Sequence, residues 1–429
     1  MSILPPKFPI CRLSLSVGMK DIKWMMGQIS SAREEEIHYF EEEFAERQEL
    51  LKAFYVTSAK AAFYETLQAL NLPPKSRILM PNWMNPAMAA MVIAAGHFPR
   101  LVDVDEGTWT IGSQIRDLED VMWGGVGALL ISHMYGCPAP LRMLEEEANK
   151  RKIPILEDCT QGFGADCGGR VTGSSGLASF YSFDITNNLS TLGGGMLGVR
   201  GPVLADKLSN IRSRAQIAEN KSAYTLATKA LSLSTATSKY GFGVGVYPML
   251  ALSRKFLGQD MLYSQLKEEV TTAPPAIMGV PAPCQAALGR RMLQKVDERN
   301  KGCNLVGTRL LKLLKAKRIP HMGLPSLPDQ GTHIFTNFVV TFPRPQQLAQ
   351  KLFEKGIDTS LGYFCPIHSM ELFGSKVSCL TSTTVSDRLG DEQLHLPVYP
   401  ELTDEQLQYI ANSVAESCAE VAEDMRLEE

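Results

Sequence analysis

Short apolar runs recur through the first half of the chain, spaced so that a helix fits between several of them. Arg77–Met80, Arg100–Val104, Ala128–Ser132, Ile153–Glu157, Ser179–Phe183 and Gly195–Val199 have the length and composition of buried strands. Between them, apolar positions return with helical period in Pro86–Ala95 and Leu141–Lys152. This alternation predicts an α/β fold built on a mostly parallel, doubly wound sheet. Ahead of it, residues 31–53 carry EEE and EEEFAERQELLK and read as a charged helix with a solvated face. Residues 201–275 break the alternation. They are rich in Leu, Ala, Ser and Thr and close on GFGVGVYPMLALSRKFLG. From residue 276 order resumes, with helices over Pro283–Lys295, Asn300–Lys315, Gln346–Lys355 and Asp404–Glu420 and a strand over His333–Phe342. The expected division is an N-terminal segment and helix (1–54), a large unit with an insertion at 201–275 (55–275), and a small C-terminal α/β unit (276–429).

Composition narrows the function classes. The 429 residues are 45% hydrophobic and 21% charged, as in an ordinary globular protein. A formal net charge of -3, with no basic block, argues against a nucleic-acid surface. The nine cysteines are scattered without a C-x-x-C pair, which predicts reduced thiols and no metal. The opening MSILPPKFPICRLSLSVG lacks the apolar core of a signal peptide, and no run reaches the ~18 apolar residues of a membrane span. A cytoplasmic protein is expected.

Candidate chemistry sits where parallel strands end, because ligands of open α/β sheets lie beyond the carboxyl ends of the strands. Three polar clusters fall there: His133 in ISHMYG, Glu157, Asp158 and Gln161 in ILEDCTQGFGA, and Ser182 to Asn188 in SFDITNN. A fourth, Thr57-Ser58-Ala59-Lys60, precedes AAFYETLQAL, where a serine can cap a helix and free amides can hold a phosphate. Taken singly, each has a bland structural reading, such as a helix cap for a lone Asp after a strand or a tight turn at Gly193-Gly194-Gly195.

The ordered set resembles the DegT/StrS sugar aminotransferases, a fold-type I family using pyridoxal phosphate (PLP). FEEEFAERQ resembles the family's entry helix and VTSAKAAFYETLQAL its phosphate-loop helix. ILMPNWMNPAMAAMVIAAGHFPRLVDVDEGTWTI, ISHMYGCPAPL, IPILEDCTQGFGA and FYSFDITNNLSTLGGGMLGV follow in family order, then CQAALG, Pro366–His368 and LPVYPELTDEQL. The resemblance implies that Asp158 sits by the pyridine nitrogen, where a carboxylate keeps the ring an electron sink. It puts Gln161 near the ring, Ser58, Ala59 and Ser182 around the phosphate, and His133 in the pocket. A homodimer is also implied, as is a small-molecule metabolite resembling a nucleotide sugar or carrier-linked intermediate.

The family motif S-F-x-x-Ser/Thr-Lys-x-Leu reads Ser182-Phe183-Asp184-Ile185-Thr186-Asn187-Asn188-Leu189 here. Asn187 thus stands at the position of the lysine that anchors the cofactor and carries protons, and an amide does neither. Other departures accompany it: Asn85 at the position of an aromatic over the ring, Ala59 for a glycine, and Met278 and Val280 for an Asn and an Arg that reach the neighbouring subunit's phosphate. Several departures together favour natural divergence over a single engineered change. The expectation is a biosynthetic-pathway protein that has lost lysine-dependent transamination and binds a metabolite or a pathway partner. The alternative is an enzyme with altered chemistry, using noncovalent PLP, its amine form PMP, or no cofactor. Its candidate groups are His133, Asp158, Lys60, Asp184 and the thiol of Cys159. Residues 241–257, apolar and running into Arg254 and Lys255, are expected either to pack internally or to meet a partner or a membrane.

Overall fold

The computed structural model describes residues 7–257, 270–274, 279–362 and 364–428. Strands β1 (Lys52–Val56), β2 (Arg77–Pro81), β3 (Phe98–Val102), β4 (Val126–Ser132) and β5 (Ile155–Asp158) come first. Two short pairing strands, β6 (Asp166–Cys167) and β7 (Arg170–Val171), precede β8 (Ala178–Ser182) and β9 (Gly195–Val199). Later come β10 (Gln216–Ile217), β11 (Gly279–Val280), β12 (Phe338–Thr341), β13 (Ser378–Cys379) and β14 (Gln393–Leu396). Eight of these form one sheet in the order β1-β9-β8-β5-β4-β2-β3-β13. Strand β9 runs antiparallel to both its neighbours, and the other neighbouring pairs are parallel. The mostly parallel sheet is therefore present, and its central strands lie at the apolar runs.

Helices cover both faces, which is why those strands read as unbroken apolar runs. On one face, α3 (Ala59–Leu70), α4 (Pro86–Ala94) and α6 (Pro202–Arg212) bury Phe63, Met88 and Leu208 against Met80, Phe180 and Leu197. On the other, α2 (Glu35–Arg47) and the helix Pro283–Leu293 close over Phe40, Phe44, Tyr55, Tyr181 and Phe183. The rings meet edge to face, Phe44 and Tyr181 at 4.8 Å and Phe40 and Tyr55 at 5.2 Å. A Cβ on Gly289 would come within 2.5 Å of Phe40. That close approach draws Pro283–Leu293 into the large unit, although it lies beyond the expected boundary at 276. The small unit's own core gathers Leu310, Leu314, Phe338, Val340, Leu352, Leu394 and Ile410 around the β12–β14 pair. Strand β13 returns from that half of the chain to the edge of the large sheet.

The insertion is helical: α7 (Ser222–Thr237), a π-helical turn over Gly241–Val246, then α8 (Tyr247–Leu257). Helix α1 (Met19–Gln28) packs against α7. Phe242, Tyr247 and Leu250 are buried with Cys11 and Phe353, and the Tyr247 hydroxyl donates to the Phe353 carbonyl at 2.6 Å. Val244 and Met249 remain 71% and 52% exposed. The expected apolar surface is thus one side of the segment only. The side chains of Arg254 and Lys255 lie outside those described.

Candidate functional site

Three strand ends and one helix start converge. Register pairs Ser132 of β4 with Asp158 of β5, and Asp158 with Phe180 of β8. At the end of β8, Ser182 pairs with Gly195, which also pairs with Val56 at the end of β1. A Cβ on Gly195 would stand 3.1 Å from the Ala59 amide nitrogen. The missing side chain lets the first turn of α3 approach the strand ends, so Ser58, Ala59 and Ser182 share one corner. The Ser58 Oγ accepts from the Ala61 amide at 3.2 Å, a helix cap. Lys60 follows in the same turn, half-buried and with an interaction of its own.

Asp158 is buried. Its carboxylate accepts from the Thr160 amide at 3.0 Å and from the Ser132 hydroxyl at 3.3 Å. Among the described residues it forms no ion pair with a lysine or arginine. Burial pushes its carboxyl above the ordinary aspartate value, against the pull of the hydrogen bonds from Thr160 and Ser132. A buried carboxylate with two donors and no cation suits a protonated ring nitrogen. Gln161, nearby and half-buried, accepts from the Tyr135 amide at 3.0 Å. Tyr135 is held at φ 55°, a conformation rare for an aromatic residue.

Other candidates are committed elsewhere. The His133 Nδ1 accepts from the Ala139 amide at 3.0 Å, so its Nε2 carries the proton and donates to Glu157 at 3.0 Å. Glu157 also accepts from the amides of Gly173, Ser175 and Gly176. Burial alone would raise its carboxyl, but the hydrogen bonds from His133 and from the Gly176 and Gly173 amides hold it below the ordinary value. His133 is therefore a fully buried brace between β4 and β5, with neither nitrogen left for a substrate. The ligand atoms of His133, Glu157 and Cys159 lie within 4.8 Å of one another, yet these hydrogen bonds already occupy the imidazole and the carboxylate. Burial drives the Cys159 thiol well above its ordinary value, with Glu157 and Asp158 adding to the shift, which leaves it inert as a nucleophile. The Asn85 Oδ1 accepts from the Ala87 amide at 2.9 Å and caps α4, with Pro86 in the first turn. That is a helix-capping role, not an aromatic cover.

The loop after β8 turns back on itself. The Asn187 Nδ2 donates to the Ser182 carbonyl at 2.8 Å, and its own carbonyl accepts from the Ser16 hydroxyl at 2.6 Å. Asn188 donates to the Phe163 carbonyl at 2.7 Å and to Asn300 at 2.9 Å. Asp184 is exposed and accepts from the Ser182 hydroxyl at 3.4 Å. Val280 lies in the short β10–β11 ladder, and Met278 falls outside the described residues. Ser16, Ser132 and Thr160 were not singled out from the sequence. Ser132 is legible as the last residue of an apolar run, whereas Ser16 lies 171 positions from its partner and carries no local signal.

The chain matches the model of the DegT/DnrJ/EryC1/StrS aminotransferase family over residues 19–239 and 282–415. It is 26% identical over 356 residues to a pleiotropic regulatory protein of Geobacillus stearothermophilus, covering 83% of this chain and 82% of that protein. It is 22% identical over 386 residues to GDP-perosamine synthase of Escherichia coli O157:H7, covering 89% of each. Among solved structures, E. coli GDP-4-keto-6-deoxy-D-mannose-3-dehydratase with bound hydrated PLP shares the fold. There the TM-score is 0.73 at 15% identity, covering 95% of this chain and 99% of that one.

Proposed function

The chain belongs to the DegT/DnrJ/EryC1/StrS aminotransferase family, and from that premise we propose that it is a nucleotide-sugar-pathway protein that has lost lysine-dependent transamination. In this reading it holds PLP or PMP without a covalent bond. The carrying observation is Asn187: on the loop where the family motif has lysine, its amide is folded onto the Ser182 carbonyl at 2.8 Å. An amide is neither nucleophilic nor titratable near neutrality, and loss of a positioned acid/base alone costs about 10²–10⁴ in rate.

The remaining residues fit the cofactor. Asp158 would hold a proton on the ring nitrogen, and the first turn of α3 with Ser58, Ala59 and Ser182 would take the phosphate. Bound there, the ring supplies an electron sink. The exposed side chains of Asp184 and Thr186 would face a metabolite resembling the sugar substrates of the relatives. The reading includes a homodimer, checked by light scattering.

The test is a titration with PLP followed by borohydride reduction and intact mass. Reversible spectral binding with no mass gain is expected. A reduced PLP adduct on any pocket lysine would sink the proposal. The buried Asp158 carboxylate, which among the described residues has no lysine or arginine opposite it, favours a second reading, an enzyme that uses the noncovalent cofactor with another proton carrier. Turnover of a keto-sugar by the PMP-loaded wild type would establish it.

A further inference from the structure

The helix over Tyr240–Ser253 is apolar on both sides, a pattern that ordinarily belongs to a helix covered all round. Its inner side is satisfied, with Phe242, Tyr247 and Leu250 in the core. Its outer side carries Tyr240, Val244, Met249 and Leu252, exposed by 72%, 71%, 52% and 43%. These fall at steps of four, five and three residues, one per turn, the longer step crossing the π-helical turn at Gly241–Val246. Phe8, 44% exposed, lies edge-on to Tyr240 with ring centroids 6.1 Å apart, and the Lys239 ammonium sits over both rings.

Charge says what covers this side. No aspartate or glutamate occurs from Ser222 to Ser253, while Lys229 and Lys239 are exposed there. Helix α1 packs on the neighbouring α7, where the Met19 sulfur accepts from the Thr235 hydroxyl at 3.9 Å, and it exposes Lys20 and Lys23. Its one carboxylate, Asp21, is buried and taken by Arg291 and Lys295. Among the described residues, none of these four lysines is in an ion pair. Glu219 and the acidic start of α2 lie at the opposite end, joined by the hydrogen bond from Asn220 to Ala32. A locally cationic, aromatic-bordered apolar stripe on a chain of net charge -3 is complementary to an anionic interface with an apolar interior.

We propose that the outer side of Tyr240–Ser253, flanked by Lys20, Lys23, Lys229 and Lys239, docks on an anionic phospholipid surface. Tyr240, Val244, Met249 and Leu252 enter the headgroup layer and the lysines contact lipid phosphates. No helix among the described residues is long and apolar enough to cross a membrane, so the contact is peripheral. This inference stands apart from the cofactor chemistry, and neither fails with the other.

The test is flotation of the full chain, at low salt, with vesicles of phosphatidylcholine alone and of phosphatidylcholine mixed with phosphatidylglycerol. Binding to the mixed vesicles is expected to exceed binding to neutral ones by at least about tenfold and to fall as salt is added. A Val244→Glu, Met249→Glu double variant changes exposed positions only and should lower flotation to the neutral background while melting normally. Equal behaviour with both vesicle types, or undiminished flotation of the variant, overturns the proposal. So does failure of the wild type to float while the double variant changes oligomeric mass in light scattering, because the face then joins protein copies.

Discussion

Glu157 and Asp158 are adjacent on one strand, both buried, and their carboxyls are pushed in opposite directions. Glu157 faces an imidazole and a ring of amides. Asp158 faces two donors and no lysine or arginine, so its ionised form is penalised in the fold. Its folded pKa lies above the unfolded value, so the penalty appears as pH rises through the ordinary aspartate value of about 4 and is absent below it. Asp158→Asn should therefore stabilise the cofactor-free chain at pH 7, with the gain shrinking toward pH 4. The same variant should weaken PLP binding by about tenfold or more, since it removes the charge opposite the ring nitrogen. Urea denaturation and a PLP titration on the one variant read both effects. Two histidines of the small unit act in the other sense. Burial lowers His333 to about 3, and burial with the charge of Arg12 lowers His395 to about 4. Both stay neutral in the fold while the unfolded chain takes up protons below about 6.5, so stability is complete above that pH and is lost as pH falls toward 4. The slope should approach about 2.7 kcal/mol per pH unit for the two sites together. His333→Asn, which keeps an acceptor for the Phe335 amide, should roughly halve the slope of denaturation free energy between pH 6 and 5.

At the scale of elements, α3 is where stability and ligand binding share a residue. Ser58→Ala removes the cap on the Ala61 amide and should cost about 1 kcal/mol. Phosphate binding should weaken with it, because the first turn then frays; phosphate protection against thermal melting would show the loss. The serine before AAFYETLQAL announces this cap in the sequence. The inner strands are equally legible, since burial on both faces leaves continuous apolar runs such as ALLIS before His133. Strand β1 is not, because KAFYV adjoins the charged helix α2, and the pairing with β9 that places it in the sheet is a remote signal. His133 is legible as a strand-end residue, but its commitment is hidden, for Glu157 comes from the next strand and Ala139 from the loop beyond. Asn85-Pro86 carries an N-cap signature of its own, which alignment to a ring-covering aromatic overrides.

Across the whole molecule, the cofactor site draws on elements far apart in sequence, and this sets what one substitution can restore. Lysine at 187 would supply a nucleophile and a proton carrier. It would enter a loop tied to the Ser182 carbonyl by the present side chain, to Ser16 of the N-terminal segment, and through Asn188 to Asn300. The residue aligned with the family's aromatic cover caps α4 instead, and Val280 is bound in the β10–β11 ladder with its carbonyl accepting from Ala218. A tethered but poorly oriented ring forfeits the advantage of positioning, on the order of 7–11 kcal/mol in favourable cases. Asn187→Lys is therefore expected to gain the covalent PLP adduct, seen as a mass increase after borohydride reduction, yet to turn over glutamate and a keto-sugar only slightly above background. Adding an aromatic residue at Asn85 would remove the α4 cap and restore a face for the ring. That double variant should trade roughly 1 kcal/mol of stability for a larger rise in turnover than Asn187→Lys alone. Robust transamination by Asn187→Lys alone would mean that the lysine was the one missing part and that the surrounding elements already orient the ring.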